Sequence, residues 1–277
     1  MTEALAALAL VAIAGAAAVG WLVARRDAAR LRERLERGTA ELERLQRAFA
    51  RFAPRGVVDE IAQRGVSTRG ERKDVTVLFA DLVRFTPLTE RLDPGVLVEV
   101  LNGYFERMSR VITDHQGHLS TLIGDGILAL FGALEANPWQ ANDAAHAALA
   151  MRAALADYNR ALAARALPPL AVGVGLHRGE GVAGLVGSED LLQFTVVGPT
   201  VSLAARVQRL TREYGTDLLV TEAVRSALDP RFALRPLPPS ELRGFREPVA
   251  LYAVERFTAD APARGSPGRT ATKSGAP

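Results

Sequence analysis

The chain has 277 residues, of which 48% are hydrophobic, and this length allows one ordinary domain with appended segments. It contains no cysteine, which excludes a disulfide-stabilised extracellular scaffold. Lysine and arginine number 34 against 31 acidic residues, so the net charge is +3. The sequence has no basic stripe interleaved with aromatic residues, and we therefore expect no nucleic-acid partner.

Residues 4–24 form an uncharged segment of 21 residues. At about 1.5 Å per residue a helix of this length spans about 32 Å, enough for a bilayer core of roughly 30 Å. Arg25 and Arg26 follow it, so the positive-inside rule predicts a cytoplasmic C-terminal part. A cleaved signal peptide is the alternative, but the segment lacks a basic start. We expect residues 1–25 to be a single-pass helix in the cell (inner or plasma) membrane, in contact with membrane lipid.

A charged segment with apolar residues at heptad spacing follows. Its two apolar sets are Ala28, Leu35, Leu42 and Phe49, and Leu31, Gly38, Leu45 and Phe52. This pattern indicates the a/d seam of a coiled coil. We therefore expect residues 26–65 to form a coiled-coil signalling linker that joins two chains. Gly38 weakens the seam, since glycine in a helix costs about 1 kcal/mol relative to alanine. A single solvated helix is the alternative.

Apolar patterning predicts alternating strands and helices over residues 70–257. We expect strands at 75–80, 170–176, 182–185, 194–197, 218–220 and 251–254, a hairpin at 119–131, and helices at 94–114, 139–162, 200–214 and 222–228. The order βαββαβ with extensions predicts an α+β, ferredoxin-like sheet. Residues 258–277 are rich in small and polar residues, and we expect them to be disordered.

Two carboxylates stand at the ends of apolar runs. Asp81 ends the run within VTVLFADLVRFT (75–86), and Asp125 lies at the Gly-Asp-Gly turn of LIGDGILALFG (122–132). Two strand-borne carboxylates suit a pair of divalent cations that activates a hydroxyl and holds a phosphate during in-line displacement. Magnesium prefers a few carboxylates together with substrate phosphates. We therefore expect the pair to hold two Mg²⁺ or Mn²⁺ ions.

Four motifs together resemble the class III nucleotidyl cyclases, the adenylyl and guanylyl cyclase family. They are FADLVRFT (79–86), IGDGILALFG (123–132), GVGLHRGEGVAGLVGSE (173–189) and FTVVGPTVSLAARV (194–207), in the family's order. The resemblance covers about residues 73–254. It implies an enzyme that converts ATP into cyclic AMP and pyrophosphate, in a homodimer with active sites shared between subunits. One chain would supply the two aspartates, and the other would supply Thr195, Ser202 and Arg206.

The resemblance also implies contacts to the nucleotide. The loop after the first strand would cradle the triphosphate, with Leu82, Phe85 and Thr86 as contacts. Arg243 and Arg246 lie near the family's basic triphosphate contact, and either could serve.

The resemblance assigns three further roles: Thr195 to the purine, Ser202 to the ribose, and Arg206 to charge on the phosphates in the transition state. Three positions depart from the family's pattern. Thr121 replaces a purine-selecting lysine, Ser202 replaces an asparagine, and Arg84 replaces a small residue that is usually glycine. The choice between ATP and GTP therefore stays open. A degenerate pseudo-cyclase that dimerises or senses nucleotide is the main alternative; another metal-dependent phosphotransferase would leave the motif at 194–207 unexplained.

Overall fold

The structure is a computed structural model that describes Trp21, Arg25, Arg30 and residues 32–41, 70–188, 192–245 and 247–258. It divides the chain into two units, residues 1–59 and 60–277, which are described separately. In the first unit residues 32–41 are helical, and Leu35 of the predicted seam is 62% exposed. The linker is thus helical over this stretch, and the two-chain coiled coil stays a prediction.

Within the described residues no helix is both long and apolar enough to cross a membrane. The segment predicted to span the bilayer, residues 4–24, lies outside the described residues apart from Trp21. The membrane anchor therefore stays a prediction. The tail predicted to be disordered also lies outside the described residues, apart from Thr258.

The described part of the second unit holds eight strands and five helices. They are β1 Glu71–Leu82, α1 Thr86–Thr89, α2 Pro94–Asp114, β2 His118–Ile123, β3 Gly126–Phe131, α3 Gln140–Ala163, β4 Val172–Gly187, β5 Leu192–Val197, α4 Pro199–Leu210, β6 Leu218–Thr221, α5 Glu222–Arg225, β7 Phe232–Ser240 and β8 Val249–Phe257. The elements β1, α2, β2, β3, α3 and β4 follow the predicted βαββαβ order. The α+β fold class is thereby confirmed.

One mixed sheet carries the domain, with strand order β2-β3-β1-β4-β6-β8-β7 and β5 paired to β4. Strands β4 and β6 run parallel, and the other paired strands run antiparallel. Side chains of α2 and α3, such as Tyr104 and Met151, pack on one face of the sheet. Leu203 and Val207 of α4 pack on the other face against β6 and β8. The sheet is therefore covered on both faces, and the site residues lie at strand ends and on α4.

The strand predictions differ from the structure in two places. The predicted strands at 170–176 and 182–185 are one strand, β4, because β1 pairs with it continuously from Leu82 and Val172 to Glu71 and Ala183. Because β1 pairs with β4 along this whole length, β4 stays extended at the glycines that interrupt its apolar pattern. Strand β7 was not predicted, because it contains three prolines that are typical of loops. Its place at the edge of the sheet tolerates residues that lack a backbone donor.

Candidate active site

The two predicted metal ligands lie side by side. Antiparallel pairing places Ala80 opposite Ile127, so the β2–β3 turn that carries Asp125 comes alongside Asp81. Gly124 adopts the left-handed conformation (φ 63°) that this turn requires, at little cost for glycine. A Cβ at Gly126 would lie 3.4 Å from Oδ1 of Asp81. The glycines on both sides of Asp125 thus let the turn close against the end of β1.

Electrostatics at this pair favour a cation. Burial raises the pKa of Asp81, and the neighbouring Asp125 carboxylate raises it further, whereas Arg212 lowers it. Arg212 lies in the turn after α4, and its Nη2 donates to Oδ2 of Asp81 at 3.0 Å and to the Leu82 carbonyl at 3.0 Å. Two adjacent carboxylates repel each other unless positive charge lies between them. Arg212 supplies part of that charge, and a divalent cation would supply more.

The donor set fits Mg²⁺ or Mn²⁺. Among the described residues no group of three or more His, Cys, Asp or Glu side chains could hold a metal ion. The pair alone leaves coordination positions for phosphate oxygens and water, which is how proteins commonly bind Mg²⁺ at phosphate-transfer sites. The buried Tyr104 hydroxyl has no hydrogen-bond partner. Burial and the charges of Asp81 and Asp125 raise its pKa, so it remains a protonated donor beside the pair.

The loop after β1 has one backbone donor already engaged, since the N–H of Val83 donates to the Ala171 carbonyl at 2.7 Å. Leu82 is buried in the core, and Phe85 packs against the core, so neither side chain is directed to solvent. Thr86 begins α1, just after Phe85. Arg84 is exposed and adopts a left-handed conformation, with φ of 57°. The predicted phosphate cradle over residues 82–86 therefore depends on the N–H groups after Val83. Arg84 keeps the left-handed conformation that glycine would adopt more easily.

The predicted purine contacts Thr121 and Thr195 belong to one polar cluster between β2 and β5. Strand β2 has a bulge between Leu119 and Thr121, and both Ser120 and Thr121 contact β5. Gln193 donates from Nε2 to Oγ1 of Thr121 at 2.7 Å and to the Ser120 carbonyl. Oγ of Ser120 lies 3.1 Å from Oγ1 of Thr195. The structure thus adds Ser120 and Gln193, which sequence reasoning missed, and we call these four residues the β2–β5 polar cluster.

Arg206 on α4 and the turn beside it form a separate, positively charged group of residues. The guanidinium of Arg206 lies over the Phe245 ring, 5.3 Å from the ring centre, and its buried Nη1 has no hydrogen-bond partner. Gly244 (φ 87°) forms the adjacent turn, where a Cβ would lie 3.4 Å from that nitrogen. Arg243 is exposed on the same turn. An unpaired guanidinium nitrogen suits an anion such as phosphate, so Arg206 and Arg243 together could bind one.

Two predicted residues stand apart from these groups. Ser202 is exposed on α4, one turn before Arg206. Arg246 lies outside the described residues. Among the described residues no hydrogen bond or ion pair joins the aspartate pair, the β2–β5 polar cluster and Arg206 to one another. One chain therefore presents three groups. The aspartate pair suits metal ions and phosphate, the β2–β5 polar cluster suits a polar base, and Arg206 suits an anion.

The sequence profile described as the adenylate and guanylate cyclase catalytic domain matches residues 68–256. The chain therefore belongs to this family, the class III nucleotidyl cyclases, as the four motifs predicted.

Known relatives agree with this assignment. The chain is 32% identical over 219 residues to an adenylate cyclase of Anabaena cylindrica, a match that covers 75% of this chain and 43% of that protein. It is 31% identical over 212 residues to adenylate cyclase 1 of Rhizobium meliloti, covering 74% of this chain and 31% of that protein. The crystal structure of the guanylyl cyclase Cya2 superimposes with a TM-score of 0.63 at 33% identity, covering 69% of this chain and 96% of that one. The match spans less than half the length of either curated relative, and both base specificities occur among these three.

Proposed function

We propose that the chain is a membrane-anchored, homodimeric adenylate cyclase that converts ATP into 3′,5′-cyclic AMP and pyrophosphate for intracellular signalling. The observation that carries this proposal is the adjacent pair Asp81 and Asp125, in which burial and the Asp125 carboxylate raise the pKa of Asp81, within a cyclase catalytic domain. The two curated relatives are named as adenylate cyclases, which supports ATP as the substrate.

In this proposal the ribose 3′-oxygen attacks the α-phosphorus in line, the bond to the pyrophosphate oxygen breaks, and the hydroxyl proton passes to water. Asp81 and Asp125 would hold two Mg²⁺ or Mn²⁺ ions, which when bound lower the pKa of the 3′-hydroxyl and neutralise phosphate charge. The backbone after β1 would position the triphosphate. Arg206 would donate from its guanidinium to a phosphate oxygen as negative charge develops. A donor of this kind is typically worth about 2.7–4 kcal/mol of transition-state stabilisation.

A homodimer would bring the three groups to one nucleotide. Exposed apolar side chains on β2, β4 and β5 support such a partner. Five of them are between 39% and 56% exposed: Leu122, Ile123, Val182, Val186 and Val197. Clustered exposed apolar residues mark interaction surfaces in soluble domains. In this proposal a second copy covers part of this surface and brings its aspartate pair to Thr195 and Arg206 of the first chain.

The decisive assay uses the full chain in detergent micelles with Mn²⁺ and either ATP or GTP, and identifies the product by chromatography. We expect cyclic AMP and pyrophosphate in equal amounts. Nucleotide binding without any cyclic product would instead support the pseudo-cyclase alternative, which Thr121 and Ser202 motivate. Formation of cyclic GMP alone would retain the cyclase class and overturn the choice of ATP.

The anchor is tested separately by fractionating cells that express the full chain or a chain lacking residues 1–25. We expect the full chain to stay with membranes after an alkaline carbonate wash, because a spanning helix is held by the hydrophobic effect rather than by charge. The shortened chain should appear in the soluble fraction. Release of the full chain by the wash would overturn the anchor and leave the catalytic proposal unaffected.

A further inference from the structure

The Arg212 side chain bridges two oxygens at the end of β1. Its Nη2 donates to Oδ2 of Asp81 and to the backbone carbonyl of Leu82, at 3.0 Å in each case. A carboxylate oxygen and a backbone carbonyl are ligands of the kind that hard divalent cations take. One nitrogen of Arg212 therefore lies between two oxygens that could instead share a metal ion.

The two carboxylate oxygens of Asp81 face different partners. Oδ1 lies toward the β2–β3 turn, because a Cβ added to Gly126, the residue after Asp125, would be 3.4 Å from it. Oδ2 is held by Arg212. An ion shared with Asp125 through Oδ1 can therefore bind without displacing the arginine. An ion that needs Oδ2 and the Leu82 carbonyl has to replace it.

The turn that carries Arg212 is anchored to β4. Gly173 of β4 pairs with Asp81, and a Cβ at Gly173 would overlap Oγ1 of Thr211, so glycine lets the turn come this close. The buried Gln208 side chain donates to the Gly173 carbonyl at 3.2 Å. The Arg212 side chain itself is 50% exposed. Its guanidinium can therefore leave Asp81 for solvent while its backbone stays in place.

We propose that Arg212 occupies one of the two cation positions until nucleotide binds, so that the chain alone holds a single divalent ion. This inference rests on the proposed function, since it takes Asp81 and Asp125 as the metal ligands. One guanidinium and one divalent ion already balance the charge of two carboxylates. Phosphate oxygens add ligands and negative charge, which favour a second ion over the arginine. Arg212 is thus a positioning residue that makes binding of the second ion depend on nucleotide.

Electron paramagnetic resonance of Mn²⁺ tests this competition without turnover. The full chain in detergent micelles is titrated with Mn²⁺, and bound ions are counted from the loss of the free-ion signal. Two neighbouring ions are recognised by their dipolar-coupled spectrum. We expect the wild type alone to bind one ion, with an uncoupled spectrum. Addition of 3′-deoxy-ATP, which lacks the attacking hydroxyl, should produce the coupled spectrum. This comparison needs no variant.

Two variants distinguish an occupied position from a general effect of charge. Arg212→Met removes the donor that holds Oδ2 of Asp81. Without nucleotide we expect its second ion to bind at least about tenfold more tightly than in the wild type, since apparent affinity falls with the fraction of chains whose site is open.

Arg209→Met is the matched control. Arg209 lies on α4, one turn before Arg212, and is exposed. It acts on Asp81 through its charge, with no hydrogen bond to that carboxylate among the residues that the structure describes. At about 0.15 M salt, which screens exposed charges, this variant should leave binding of the second ion within about twofold of the wild type.

The outcomes separate this inference from the proposed function. A coupled pair in Arg212→Met without nucleotide, beside a single ion in the wild type, supports the inference even if no cyclic product ever forms. A coupled pair in the nucleotide-free wild type, no coupled pair after 3′-deoxy-ATP is added, no gain in Arg212→Met, or an equal gain in Arg209→Met overturns it and leaves the cyclase proposal standing. Failure of every chain to bind Mn²⁺ would overturn the metal assignment together with this inference.

Discussion

At the scale of single residues, Arg84 occupies a backbone conformation that its side chain does not favour. Its φ of 57° is left-handed, where a residue with a Cβ pays roughly 1–2 kcal/mol. The side chain is exposed, so burial does not offset this cost. The glycine expected at this position in the family would avoid the penalty. The loop after β1 therefore contains a local strain that a single substitution can measure.

We predict that Arg84→Gly is more stable than Arg84→Ala by about 1 kcal/mol, because both remove the guanidinium and only glycine is free of the Cβ penalty. Urea unfolding of the two variants, followed by far-UV circular dichroism, gives the difference in free energy of unfolding. Equal stabilities would show that residue 84 leaves the left-handed region in solution.

The aspartate pair gives a second prediction at this scale. Asp81→Asn and Asp125→Asn should each lower cyclic nucleotide formation at least about a hundredfold, because an amide carries no charge to hold a divalent ion. Both should also weaken Mn²⁺ binding measured by calorimetry. Asp74→Asn is the control, since Asp74 lies on the same strand but pairs with Arg178. Near-normal rates in either site variant would contradict the metal assignment.

The aspartates were predictable from sequence because each ends its own apolar run, next to a turn that local residues define. Gln193 and Arg212 were not. Their contacts depend on which strand lies beside β2 and on where the turn after α4 meets β1. Neither partner is near in sequence, so no local pattern marks these residues. The long-range strand pairing that determines the neighbours of each side chain thus leaves no local signal in the sequence.

At the scale of elements, the difference between local signals and long-range pairing explains which helices and strands were predicted correctly. The helix α2 and the β2–β3 hairpin were predicted close to their observed bounds, because amphipathic periodicity and a Gly-Asp-Gly turn are local signals. Strand β4 depends on its long pairing with β1, and β7 depends on its pairing with β8. Both pairings override the glycine and proline signals that argued for loops.

Two strands carry histidines whose burial makes the sheet sensitive to acid. Burial lowers the pKa of His118 on β2 and of His177 on β4 to about 4. An unfolded histidine has a pKa near 6.5, so between about pH 6.5 and 4 the unfolded chain binds more protons. Each such group lowers the free energy of unfolding by up to about 1.4 kcal/mol per pH unit as the pH falls through this window.

We therefore predict that stability is retained at pH 7 and lost progressively below pH 6.5. Urea unfolding at several pH values from 7 to 4.5 measures the slope. The variant His177→Asn should remove the contribution of one buried histidine from this pH dependence, whatever its effect on stability at pH 7. A slope that is identical in wild type and variant would show that His177 is protonated equally in both states.

At the scale of the whole molecule, the proposed dimer determines whether the catalytic groups meet. One chain keeps the aspartate pair apart from Arg206, with no bond between them among the described residues. In a two-fold dimer each site would take one group from each chain. A substitution of Asp81 and a substitution of Arg206 would then remove groups that different chains contribute to a site.

We predict that Asp81→Asn and Arg206→Ala, each inactive alone, regain activity when both are expressed in one cell. Random pairing makes half of the dimers mixed, each with one intact site of two, so we expect about a quarter of wild-type activity. Differently tagged chains purified in sequence establish that mixed dimers are present. Mixed dimers without activity would contradict a site shared between chains.

The prolines of β7 bear on how this protein avoids aggregation. Pro236, Pro238 and Pro239 lie in the strand that ends one side of the sheet, and its pairing with β8 contains two register shifts. Proline offers no backbone N–H, so an incoming strand from another molecule finds an interrupted ladder there. Fibril-like growth through this edge is therefore disfavoured. The proposed dimer would therefore form through another surface, where side chains rather than backbone groups make the contacts.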